Sequence, residues 1–242
     1  HFERAETLFW NFALTERKRY FRPSTRYFRP STRYFALIFP NFIWAKVDLV
    51  QVVEKLQYPW AMDFLPGSEA LVTEKPGRLQ KVNLETGKKT EIQNLPEIHA
   101  VGQGGLLDVM VHPDFKQNQK IFLTFSAPLN ASGDATTTLI SARLEGQQLS
   151  DQKILFQADP GLPGGHHFGS RVRMDKDGML YFSVGERGRM KEAQDPQNHL
   201  GTVIRLQENG KVPEDNPFLK NRKGRAETVS YTHLTLPTSD LV

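Results

Sequence analysis

The 242-residue chain has no cysteine. That excludes disulfide staples, thiolate metal sites, iron–sulfur clusters and a cysteine nucleophile. It assigns no compartment, because a thiol-free chain suits oxidising and reducing surroundings alike. No apolar run reaches the roughly 18 residues of a membrane-spanning helix, which argues against stable membrane insertion through helices. Also missing are the G-x-S-x-G elbow, the H-E-x-x-H pair and the Walker and Rossmann glycine patterns. Charge imbalance is missing from most of the chain. The first 46 residues hold nine Lys/Arg against three acids, whereas the other 196 carry 22 basic and 24 acidic groups. The net charge of +4 therefore belongs to the leader. A near-neutral body argues against a nucleic-acid partner. What is present, 38% hydrophobic and 24% charged residues, suffices for one domain or at most two.

Both ends differ from the middle. Residues 19–35 read RYFRPSTRYFRPSTRYF, a seven-residue duplication with a third copy begun. Pro23 and Pro30 forbid a continuous coiled-coil helix. An Arg/aromatic strip of this kind suits RNA or anionic lipid. The alternative is a disordered or artefactual leader without a packed core. The apolar run 35–46 that follows the basic stretch is similar to the tail of a secretory signal and points to export. At the other end, Val229-Ser-Tyr-Thr-His-Leu-Thr-Leu-Pro-Thr-Ser239 resembles translated sequencing-adapter read-through, with an ordinary strand and turn as the alternative. The domain expectation is a leader over 1–46, a globular body over 47–229 and a non-native tail over 230–242.

The body reads as all-β. Runs of four to eight apolar or β-branched residues alternate with Gly, Pro, Asn and Asp. Four strands are expected within Trp60–Gln93, then strands at Leu106–Val111, Lys120–Phe125, Thr137–Leu144 and Lys153–Phe156. A third series holds Ser170–Met174, Met179–Val184 and, after an insertion, Gly201–Leu206. A four-stranded unit cannot bury both faces alone. Radial stacking buries them and leaves short edges, which is the β-propeller solution. About three blades are present on this count, and a β-sandwich is the rival.

Three segments carry candidate chemistry. Gly102-Gln-Gly-Gly105 brings its backbone close to something and leaves the Gln103 amide projecting. An amide offers a donor and an acceptor, which suits a hydroxyl or carbonyl ligand. The alternative is a glycine turn with a solvated Gln. Gly164-Gly-His-His-Phe-Gly-Ser-Arg171 precedes an inner-type strand. If extended, His166 and His167 point to opposite sides and share no metal. One imidazole facing the axis accepts a proton from an alcohol; a structural or surface histidine is the alternative. Gly185-Glu-Arg-Gly-Arg189 is either a loop over a pocket or a solvated connection. The remaining histidines show no metal-ligand spacing.

In order, the stretches PWAMDFLP (59–66), GRLQKVNLETG (77–87), GQGGLLDVMVHPDF (102–115), HFGSRVRMDKDGMLYFSVGERG (167–188) and AQDPQNHLGTVIRLQENGKVPEDNPF (193–218) resemble the soluble glucose/sorbosone dehydrogenase family, and within it the bacterial aldose sugar dehydrogenases that use pyrroloquinoline quinone (PQQ). The resemblance implies a six-bladed propeller with PQQ in a central pocket. It implies oxidation of an aldose at C1 to the lactone, with hydride passing to the quinone. By resemblance His167 is the catalytic base and touches the cofactor, Gln103 binds the substrate hydroxyl, and His166 stands where glucose-oxidising members carry an Asp. Family members follow the NPF block with a run whose Arg, Asn and Gln hold the quinone. Here Val229-Ser-Tyr231 leads into Thr-His-Leu-Thr-Leu-Pro. Calcium ligands are accordingly expected in a missing C-terminal part. The expectation is a truncated, impaired fragment of a periplasmic or secreted quinoprotein with an unidentified electron acceptor. A propeller sugar-lactone hydrolase and a non-catalytic carbohydrate- or protein-binding propeller are the alternatives.

Overall fold

The computed structural model describes residues 49–231. The seven-residue repeat, the apolar run 35–46 and residues 232–242 lie outside the described residues. Twelve strands form three separate four-stranded antiparallel sheets. The first holds β1 (Pro59–Leu65), β2 (Glu69–Glu74), β3 (Arg78–Asn83) and β4 (Lys89–Ile92). The second holds β5 (Leu106–Val111), β6 (Lys120–Pro128), β7 (Ala135–Glu145) and β8 (Gln148–Gln157). The third holds β9 (Gly169–Met174), β10 (Met179–Val184), β11 (Thr202–Gln207) and β12 (Thr228–Tyr231). Each is a meander in chain order, and none closes on itself. Among the described residues two short α-helices, α1 (Phe115–Asn118) and α2 (Pro217–Asn221), fill connections.

Local chemistry explains the turns. Asp175 Oδ1 accepts hydrogen bonds from the Asp177 and Met179 N–H groups, both at 2.9 Å. That side chain reinforces the β9–β10 turn, whose backbone also pairs Asp175 N–H with Met179 O at 2.9 Å and Gly178 N–H with Asp175 O at 3.2 Å. Burial then separates the sheets. Val109, Ile121, Leu123 and Ile140 share one core with Leu71, Leu79 and Ile92 of the first sheet. Met110, Phe122 and Leu139 share another with Val172, Leu180, Phe182 and Ile204 of the third. Successive residues of the middle sheet thus serve two cores. For this reason β5 and β6 are buried almost without interruption, while burial in β10 and β11 alternates. Each such side chain contributes about 1.5–3 kcal/mol on burial.

Polar clips set the first strands side by side. The Ala61 N–H donates to Thr73 Oγ1 at 2.9 Å, and that hydroxyl donates to Leu107 O at 2.6 Å. One sheet on, the Asp108 N–H donates to Thr124 Oγ1 at 3.0 Å, and Thr124 Oγ1 donates to Ser170 O at 2.9 Å. Both threonines are fully buried. A bulge in each first strand, at Pro59/Ala61, Leu106/Val109 and Gly169/Val172, frees the backbone groups that these hydroxyls take up. The loops that enter β5 and β9 consequently meet at one end of the sheets.

Candidate active site

The two glycine-rich loops touch backbone to backbone. The Gln103 N–H donates to Gly165 O at 2.5 Å. A Cβ on Gly102 would stand 2.4 Å from Gly165 O, and one on Gly165 would stand 2.5 Å from Val101 O. Only glycine permits that approach. The Gln103 backbone therefore comes close to a neighbouring loop of this chain, and its side chain is turned to the histidines: Gln103 Oε1 accepts the His167 N–H at 2.9 Å. Among the described residues no partner takes the Gln103 side-chain NH2, which leaves it free to donate. Lys75, at the end of β2, donates from Nζ to Gly102 O at 2.7 Å and ties the first sheet to the same place.

The side chains of His166 and His167 do not splay to opposite sides as an extended dipeptide would. His167 has φ 53°, a left-handed backbone. Its ring meets that of His166 edge to face, with centroids 5.0 Å apart and planes at 79°. The chain holds this conformation because the loop is gripped from within. Arg187, only 6% exposed, donates from Nε to His166 O at 2.8 Å, from Nη1 to Ala135 O at 2.7 Å, and from Nη2 to Leu162 O at 3.2 Å and Gly164 O at 2.8 Å. Its guanidinium lies 3.7 Å from the centroid of the buried Phe168 ring. Burial pushes the Arg187 pKa down, and four carbonyl oxygens take the place of the lost water.

Glu186 completes the group. Its Oε1 is hydrogen bonded to His167 Nδ1 and accepts the Gly188 N–H at 3.2 Å. Burial raises the Glu186 carboxyl, but the hydrogen bond from His167 and the N–H groups of Glu186 and Gly188 outweigh it and hold the group below the usual range. An ionised carboxylate at Nδ1 selects the tautomer that carries its proton there. The opposite nitrogen, Nε2, then presents a lone pair, and no described residue partners it. The His167 side chain is 49% exposed, so that lone pair is accessible to a ligand.

The structure thus brings together His167, His166 and Gln103. It adds two groups that sequence reasoning did not assign, Glu186 and Arg187. Both lie in the Gly185–Arg189 loop, whose position between two strands was the available signal. His112 and His199 are elsewhere and buried, each set against a phenylalanine ring and a glutamate. Among the described residues no group of three or more His, Asp or Glu side chains is placed to hold a metal.

The family described as glucose/sorbosone dehydrogenase matches residues 56–236. The chain belongs to the glucose/sorbosone dehydrogenase family. It is 36% identical over 190 residues to the aldose sugar dehydrogenase YliI of Escherichia coli K12, covering 77% of this chain and 51% of that protein. The crystal structure of the soluble aldose sugar dehydrogenase of E. coli in its apo form superposes with a TM-score of 0.71 at 37% identity, covering 74% of this chain and 52% of that one. The PQQ-bound aldose sugar dehydrogenase of Streptomyces coelicolor superposes with a TM-score of 0.63 at 28% identity, covering 76% and 53%. The chain spans about half the length of these family relatives.

Proposed function

We propose that this chain is part of a quinoprotein oxidoreductase that oxidises aldose sugars at C1 to lactones, with His167 as the general base. The observation that carries the reading is the Gln103–His167–Glu186 cluster. Glu186 fixes the imidazole tautomer, Nε2 accepts the C1 hydroxyl proton, and the Gln103 NH2 orients a sugar oxygen. A base so positioned contributes about 10²–10⁴-fold. His166, packed on His167, borders the substrate. The named activities of the E. coli and S. coelicolor relatives support the same substrate class.

The donor set fits a planar quinone: an open imidazole nitrogen and a side-chain amide lie at one exposed edge. His167 is the described residue that would hold PQQ, which supplies a two-electron acceptor when bound. No cluster of carboxylates or imidazoles among the described residues fits calcium. The three meanders are read as three blades of a propeller that has six in the whole protein, within domain limits of 47–229. The electron acceptor is a separate partner. Export to the periplasm or beyond fits the apolar run after the basic leader, and no described helix is long and apolar enough to cross a membrane.

The test is product analysis. The full chain is incubated with PQQ, calcium and an aldose labelled with 13C at C1, and NMR follows the labelled carbon. Lactone that forms only with PQQ present supports the reading. Hydrolysis of added lactone without PQQ, or sugar binding with no oxidation even by a stoichiometric amount of quinone, contradicts it.

A further inference from the structure

A second polar cluster lies on the first strands, away from His167. It draws one residue or more from each sheet: Trp60 on β1, Asp108 on β5, and Arg171 and Arg173 on β9. Asp108 is fully buried. Its Oδ2 accepts the Val172 N–H at 2.8 Å. Arg171 Nη1 reaches Oδ1 at 3.3 Å and Arg173 Nη1 reaches Oδ2 at 3.2 Å. Arg173 Nη1 also donates to Val172 O at 2.5 Å, and the Arg171 guanidinium lies 5.3 Å from the Trp60 ring centroid.

This arrangement exceeds what joining two strands requires. One guanidinium balances one carboxylate, yet two are gathered here, so the cluster carries an uncompensated positive charge. Residues 171 and 173 share a strand face. Their side chains are 58% and 60% exposed, whereas the acid that anchors them is inaccessible. Each arginine commits only Nη1, and among the described residues Nε and Nη2 of both have no partner. Two planar forks side by side match an anion with two or more oxygens, and a buried carboxylate pre-orders them at no further entropic cost.

We infer that Arg171 and Arg173 form an oxyanion subsite that takes the carboxylate or phosphate group of a small ligand, with Asp108 as its buried anchor and Trp60 as its wall. The subsite begins four residues past His167, at most about 13 Å along the chain at strand rise. It does not depend on the oxidoreductase reading, and it is tested without quinone or sugar.

The full chain is titrated with inorganic phosphate and, separately, with malonate, at ionic strength held constant with sodium chloride. Binding is followed by tryptophan fluorescence and by calorimetry. The expected result is a saturable response to at least one anion. Whichever binds more tightly identifies the ligand group. Trp60→Phe should lose the optical change and keep the heat. Arg173→Gln should weaken binding about tenfold, as loss of one charge-assisted hydrogen bond implies. Asp108→Asn keeps the shape and an acceptor for the Val172 N–H but removes the charge that holds both guanidiniums in place, so it should weaken binding. If Arg173→Gln does not fold, the Asp108→Asn result decides. No saturable response in the unsubstituted chain, unchanged affinity in Arg173→Gln, or unchanged or tighter binding in Asp108→Asn would each overturn the inference.

Discussion

Replacing Arg187 with lysine tests whether the histidine loop is held by one buried cation. Arginine serves four carbonyl oxygens, those of Ala135, Leu162, Gly164 and His166, from three nitrogens in a fixed plane. Lysine brings one nitrogen on a shorter reach and cannot span acceptors spread over residues 135 to 166. It can replace about two of the four bonds. Each lost hydrogen bond to a charged group is worth about 1.5–3 kcal/mol. The guanidinium stacked on Phe168 adds about 1–2 kcal/mol, and the freed carbonyls recover part of the loss by meeting water. The net expectation is a destabilisation of about 3 kcal/mol. Because the bonds converge on one loop, the damage should be local as well as global. Urea unfolding gives the first quantity. Limited proteolysis within 160–168, compared between the two proteins, gives the second. A lysine variant within about 0.5 kcal/mol of the parent, with unchanged cleavage, would refute the clamp.

Two further substitutions probe neighbouring parts. Alanine at Gly105 would place its Cβ 2.0 Å from Lys75 O on a backbone at φ 150°, whereas at Gly178, φ 79°, a Cβ meets nothing within 4 Å. Gly105→Ala should therefore cost well over 2 kcal/mol and Gly178→Ala about 1 kcal/mol of left-handed strain; equal melting temperatures for the two would contradict the close packing. Glu186→Gln addresses the acid limb. The folded carboxyl is held below its ordinary value of 4.5, so its stabilising contribution is complete above that value and is lost as pH falls through the lower folded one. The difference in melting temperature between parent and Glu186→Gln should be widest near neutrality and shrink below pH 4.5. A difference independent of pH would show that the His167 contact does not depend on ionisation.

Most strands were legible because Gly, Pro, Asn and Asp punctuate them, and burial on both faces explains why β5 and β6 are apolar at successive positions such as Val109-Met-Val111 and Ile121-Phe-Leu123. The ends of elements were less so. Strand β8 starts at Gln148, five residues before the expected Lys153, because pairing with β7 extends it through a polar stretch in which only Leu149 is buried. Strand β12, Thr228–Tyr231, is set by its ladder with β11 and matches the strand held as the alternative reading of the stretch from Val229. In the site, Gln103 and His167 stood out as polar residues that local turn chemistry does not require. The pairing of the His166 and His167 rings was not legible, since it depends on a left-handed backbone at a non-glycine residue. Arg187 was not legible either. A charged residue in a loop reads as solvated, and only the folded chain shows that four carbonyls from two segments converge on it.

On the proposed function, His167 Nε2, set by Glu186 and placed beside Gln103, takes the proton from a sugar hydroxyl. The most direct test of this step is the single-turnover rate of aldose oxidation in the full chain and in His167→Ala, at matched quinone occupancy measured by absorbance. The rate in the variant should be at least about 10²-fold lower, with sugar affinity nearly unchanged. Equal rates at equal occupancy would contradict it.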